Sequence, residues 1–189
     1  MVFKYIDIKR NFHYNKYYKY HFALKEQNIL KGQAEEYILK EYKSLSHIFE
    51  PVFDEFSKVL ILGTFPSVKS RENHFYYGHP QNRFWKILTS LVGDVLPGTV
   101  EEKKAFLLRN KIAIWDVIAS CDIVGSSDSS IKNVIPVELS IILDHAPIRQ
   151  IYANGQKAYQ LYEKYLANLV GINIFFWRCQ SELIDCEFL

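Results

Sequence analysis

The chain has 189 residues, 49% hydrophobic and 23% charged, a balance that fits a globular domain and excludes a disordered one. A formal net charge of +2 excludes a protein coated in cations, so any nucleic-acid contact must come from local clusters. No apolar run approaches the roughly 18 residues of a membrane span, and the opening MVFKYIDIKR mixes charge into its apolar positions and so lacks a signal-peptide core; a cytoplasmic location is expected.

Residues 1–46 read as an N-terminal extension and residues 47–189 as the main domain. Residues 1–45 hold seven of the thirteen tyrosines and nine basic against five acidic residues. Leu30, Ala34, Tyr37, Ile38 and Tyr42 recur at helical spacing, which predicts a helix over roughly residues 26–42. The Tyr/Lys interleaving before it suits stacking on single-stranded nucleic acid, but an aromatic segment packed on the main domain is the preferred reading.

From His47 onward short apolar runs alternate with helical patterns. Lys58–Leu62, Ile112–Asp116, Gln150–Ala153 and Ile172–Trp177 have the length and composition of buried strands. Phe84, Trp85, Leu88, Leu91 and Val92 form one helical stripe. Thr99-Val-Glu-Glu102 is a capping box opening a helix toward Arg109. Pro136 is expected in the first turn of a helix carrying Leu139, Ile142 and Leu143. Ala158, Leu161, Tyr162, Tyr165, Leu166 and Leu169 mark a last helix that Gly171 can end. This alternation predicts an α/β fold with a mostly parallel sheet, whose ligands bind beyond the carboxyl ends of the strands.

The loops at those ends are polar. Gly63-Thr-Phe-Pro-Ser67 matches no nucleotide-binding glycine pattern; Gly63 is expected to allow a sharp turn and Pro66 to stiffen it. Gly125-Ser-Ser-Asp-Ser-Ser130 suits phosphate contacts as well as any solvated loop. Asn154-Gly155-Gln-Lys157 opens a helix beside a lysine, an anion site or an ordinary turn. Cys121, Cys179 and Cys186 match no metal-binding spacing and are expected as reduced, mostly buried thiols; three are too few for the roughly four ligands of an iron–sulfur cluster.

Taken in order, VLILGTFPSVKS, YYGHPQNRFW, IAIWDVIASC with GSSDSSI, and YANGQKAYQLY resemble the DNA-deoxyinosine (hypoxanthine) glycosylase branch of the uracil-DNA glycosylase superfamily. The match runs from about Phe49 to Tyr165, and GHPQNRFW after GTFPS is its specific part. The resemblance implies a three-layer α/β sandwich with a four-stranded, mostly parallel sheet. It implies monofunctional excision of a deaminated base from double-stranded DNA by a monomer, without a metal or organic cofactor.

The resemblance also implies roles for individual residues. Gly63, Thr64, Phe65, Pro66 and Ser67 form a wall of the base pocket. Many superfamily members hold a water-activating Asp or Asn at the position of Phe65; in this branch the duty passes to Asn82, which is equally a favourable helix N-cap. Asp116 reads the base: an ionised carboxylate accepts hydrogen bonds only, which favours the N1–H of hypoxanthine over the bare N1 of adenine. Its other reading is a cap of the next turn. Tyr76 and Tyr77 offer a face on which a flipped base stacks, or pack the core; Asn154 joins the base-binding set. His79 steadies the departing base, and Ser67, Lys69, Ser70, Ser126, Ser127 and Lys157 are candidate phosphate contacts.

One motif is missing. Relatives of this branch carry a Ser/Thr-Pro-rich loop of the form L-P-S-T-S-P-A after the last strand, whereas this chain reads FFWRCQSELIDCEFL, with no proline after Pro147. The expectation is a shorter device or a truncated C-terminus. The alternatives are a uracil- or mismatch-directed glycosylase of the same superfamily, a non-catalytic DNA-binding remnant, and, third, a flavodoxin-like small-molecule binder.

Overall fold

The computed structural model describes residues 42–177. The helix expected over roughly residues 26–42 lies outside them, apart from Tyr42, as do Cys179, Cys186 and the rest of the chain after Trp177. Seven strands are described: β1 (Tyr42–Ser46), β2 (Val59–Gly63), β3 (Ile112–Asp116), β4 (Ile118–Val124), β5 (Lys132–Pro136), β6 (Gln150–Asn154) and β7 (Ile174–Trp177). The helices are α1 (Val68–Glu72), α2 (Phe84–Val92), α3 (Val100–Arg109), α4 (Ser140–Leu143), α5 (Gln156–Tyr165) and α6 (Ala167–Val170).

β3, β2, β6 and β7 make a parallel four-stranded sheet in that order. The continuous apolar runs of β2 and β3 explain their central burial: Leu60, Ile61, Leu62, Ala113 and Ile114 are all inaccessible to water, as strands covered on both faces must be. The four predicted runs are these four strands, Ile112–Asp116 with the same ends and the others within two residues.

A second sheet, β1-β4-β5, is not foreshadowed in the sequence. β4 begins two residues after β3 ends, and its pairing with β5 shifts register on both sides of Ser120. Those shifts break the period-two alternation by which a strand is recognised. Pro136 ends β5 opposite Ile118 instead of starting a helix, which begins only at Ser140. On an edge strand a residue without N–H is tolerated.

Helix ends follow local chemistry. Thr99 Oγ1 accepts from Glu102 N–H at 3.1 Å and Glu102 Oε2 accepts from Thr99 N–H at 3.1 Å, the reciprocal capping box. These backbone donors, with Gly98 N–H, hold the Glu102 carboxyl below its usual range. Thr99→Ala should therefore destabilise the domain by about 1 kcal/mol, measured by urea unfolding; unchanged stability would show that the cap contributes nothing. The last helix is interrupted at Leu166, giving α5 and α6, and Gly171 closes α6 in the left-handed conformation (φ +66°). Cys121 is buried, and desolvation pushes its thiol up to about 11. No helix among the described residues is long and apolar enough to cross a membrane.

Candidate active site

Parallel pairing of β2 and β3 sets Gly63 beside Asp116 at the carboxyl edge of the sheet. Gly63 is not among the glycines with positive φ, so the expected sharp turn is not its reason for being there. A Cβ on Gly63 would overlap Asp116 Oδ1 and lie 2.9 Å from Tyr77 Oη. The glycine exists to let the carboxylate approach the backbone.

A cavity of about 190 Å³ opens at this edge. It is smaller than the roughly 300–1,000 Å³ of drug-sized sites and suits a compact planar group. Its walls are Phe49, Gly63, Thr64, Phe65, Pro66, Ser67, Ser70, Tyr76, Tyr77, Asn82, Asp116, Asp128 and Asn154. The eight residues expected to bind the base, together with Asn82, thus meet around one space.

The long loop between α1 and α2 brings three of them there, held by a set of polar contacts. Ser67 Oγ caps α1 by accepting from Ser70 N–H at 3.1 Å. Ser70 Oγ lies 3.0 Å from Ser67 Oγ and accepts from Gly78 N–H at 3.2 Å. Asn73 Nδ2 donates to Gly78 O at 2.6 Å. Tyr76 Oη donates to Glu50 O at 2.9 Å, and burial, then the Asp116 charge, raises its pKa far above the ordinary tyrosine value. Tyr76 is therefore the core member of the pair. Tyr77, at φ +51°, stacks on Phe84 with centroids 3.9 Å apart.

Asn82 bonds at the start of α2 and lines the cavity as well. Its Oδ1 accepts from Phe84 N–H at 2.9 Å at the start of α2, and the half-buried residue lines the cavity. The bond to Phe84 immobilises the carboxamide without removing it from the wall, so capping orients the group. Across the cavity, Thr64 Oγ1 lies 3.4 Å from Asp128 Oδ2. Desolvation lifts the Asp128 carboxyl above its ordinary value, against the lowering effects of Thr64 and Lys157.

His79, Lys69, Ser126, Ser127 and Lys157 do not line the cavity. His79 is exposed, its Nδ1 accepts from Gln81 N–H at 3.1 Å, and it does not line the cavity. Among the phosphate candidates, Ser70 is only 4% exposed with its hydroxyl engaged inside the loop, so it cannot reach a backbone phosphate. Lys69 pairs with Glu72 at 2.6 Å, Ser126 Oγ accepts from Val68 N–H at 2.8 Å, and Ser127 Oγ lies 2.9 Å from Ser129 Oγ. Lys157, half-buried, acts electrostatically on Asp128.

The sequence reading missed His47. Val52 forms an antiparallel bridge with Ile114, and His47 N–H donates to Ala119 O at 2.7 Å, so the intervening segment runs beside β3 and lays the imidazole against Asp116. His47 Nε2 is 2.8 Å from Asp116 Oδ2, with both side chains almost wholly buried. Arg71 was also missed: it donates to Pro66 O at 2.5 Å and to Gly125 O at 3.4 Å, joining two loops of the site. Among the described residues no group of three or more His, Cys, Asp or Glu side chains is arranged to hold a metal ion.

Residues 50–183 match the Uracil DNA glycosylase superfamily. The chain is 39% identical over 112 residues to a hypoxanthine DNA glycosylase of Methanosarcina barkeri, covering 58% of this chain and 71% of that protein. A hypoxanthine DNA glycosylase of Methanosarcina acetivorans is 38% identical with the same coverage. The solution NMR structure of a candidate uracil DNA glycosylase from Methanosarcina acetivorans superposes with a TM-score of 0.60 and 33% identity, over 70% of this chain and 81% of that one.

Proposed function

The chain belongs to the uracil DNA glycosylase superfamily, and on that premise we propose that it hydrolyses the N-glycosidic bond of a deaminated base, hypoxanthine foremost, flipped out of double-stranded DNA. The observation that carries this reading is Asp116. Its Oδ2 is held by His47, while no described side chain donates to Oδ1, which lies over Gly63 in the cavity wall. A carboxylate oxygen at a cavity wall accepts a hydrogen bond from a ligand that carries a donor. Hypoxanthine supplies its N1–H; adenine presents a lone pair that the carboxylate repels.

In the mechanism the target nucleotide leaves the stack, at a cost of a few kcal/mol that is least at a mispaired inosine, and enters between the Gly63–Ser67 turn and Asp116. That cost also protects guanine, which carries an N1–H of its own but sits in a full Watson–Crick pair. As the glycosidic bond lengthens, positive charge grows on the sugar and negative charge on the purine. Main-chain N–H groups at the sheet edge favour the departing base, an electrostatic arrangement in place before reaction. Asn82 holds the attacking water. An amide has no useful basicity, so its contribution is position, and Phe65, an apolar side chain, has none to make.

A panel of otherwise identical duplexes bearing inosine, uracil, xanthine or a G·T pair tests the reading by base release at single turnover. Release of hypoxanthine at least about tenfold faster than uracil, one hydrogen bond's worth of discrimination, is expected. A chain preferring uracil or the G·T pair belongs instead to a uracil- or mismatch-directed function. One that binds these duplexes with steep salt dependence but releases nothing is a DNA-binding protein only.

A further inference from the structure

The geometry points to His47 as a positioning residue for base selection: through Nε2–H it fixes one oxygen of Asp116 and so presents the other, Oδ1, to the ring N–H of the bound base. The inference rests on the reading of Asp116 given above and adds a residue that the base never touches.

Phe49 N–H donates to His47 Nδ1 at 3.1 Å. A ring nitrogen that accepts an N–H carries no hydrogen itself, so Nδ1 is bare and the imidazole hydrogen sits on Nε2. Nε2 is 2.8 Å from Asp116 Oδ2, and the hydrogen bond therefore runs from His47 to Asp116. The tautomer is set by a backbone group that cannot rotate away. Tyr76 and Trp115 pack around the imidazole with ring centroids 6.1 and 6.4 Å away, and no other hydrogen-bond partner reaches it among the described residues.

Without this contact the Asp116 side chain could turn its carboxylate about two torsions, and either oxygen could meet the base or neither. With Oδ2 held, rotation is blocked and Oδ1 stays over Gly63. This resembles the way a second partner fixes a metal-bound or catalytic side chain: orientation comes from a group one contact further out.

The test is a double-mutant cycle on full-length protein, reading single-turnover hypoxanthine release from an inosine duplex for wild type, His47→Ala, Asp116→Asn and the pair. His47→Ala should slow release about 10- to 100-fold, the range for losing a hydrogen bond to a charged group. The same change in the Asp116→Asn background should add less than about threefold, because the carboxylate it positions is gone. His47→Gln, whose amide can donate to Oδ2, should recover most of the rate; a purely structural histidine would not be rescued by that donor. Independently of any substitution, ¹⁵N spectra of the wild-type imidazole should show Nε2 protonated and Nδ1 bare. Protonation on Nδ1, or equal effects of His47→Ala in both backgrounds, overturns the inference while leaving the glycosylase reading in place. Failure of the wild type to release hypoxanthine removes the reading and the inference together.

Discussion

Replacing Asn82 by alanine should slow hypoxanthine release at least about 100-fold, the scale of losing the position of a reacting group. Binding of the inosine duplex should change by less than about threefold, because water placement acts after the base is bound. The substitution also removes the Oδ1 acceptor for Phe84 N–H, and a lost cap lowers stability by about 1 kcal/mol. That loss is too small to empty the folded state and is separable by thermal unfolding. Asn82→Asp keeps an oxygen for Phe84 N–H and should restore stability. Undiminished release by Asn82→Ala would end the assignment of Asn82 to water.

Gly63→Ala should be the most damaging single methyl in the domain. The added Cβ would overlap Asp116 Oδ1 and come within 2.9 Å of Tyr77 Oη. Neither neighbour gives way easily: the carboxylate is held by His47, and the tyrosine ring is stacked on Phe84. Overpacking of this kind costs about 1–3 kcal/mol, and the carboxylate that moves is the one proposed to read the base. Base release should fall at least about 100-fold, since small displacements at a site have that scale, with a lowered midpoint of unfolding alongside. An alanine variant with wild-type stability and rate would mean that Asp116 does not lie against the backbone at Gly63.

Several features were visible along the chain because they depend on near neighbours. The Thr99–Glu102 box and the Gly171 stop are contacts over three or four residues, and Asn82 precedes Phe84 by two. The site's position at the strand ends follows from the order of strands and helices, since a parallel sheet leaves its loops at that edge. Other features were hidden for equally specific reasons. His47 stands 69 residues before Asp116, and nothing in its local sequence distinguishes it from a solvent-facing histidine. Asp128 sits in a serine-rich loop of ordinary composition, yet lines the cavity. His79 stands three residues before Asn82 yet does not line the cavity, its ring taken up by a contact with Gln81 N–H.

What the amino-acid sequence determined unaided was the central parallel sheet, the helix caps and the region of the cavity. A strand buried on both faces must be apolar throughout, and a cap needs one polar side chain at a fixed offset; both are written in consecutive residues. Tertiary structure alone decided which oxygen of Asp116 meets His47, why residue 63 has no side chain, and that the Ser70 hydroxyl is turned into its own loop. Those outcomes depend on side chains meeting across the fold, where competing hydrogen-bond partners set the orientation.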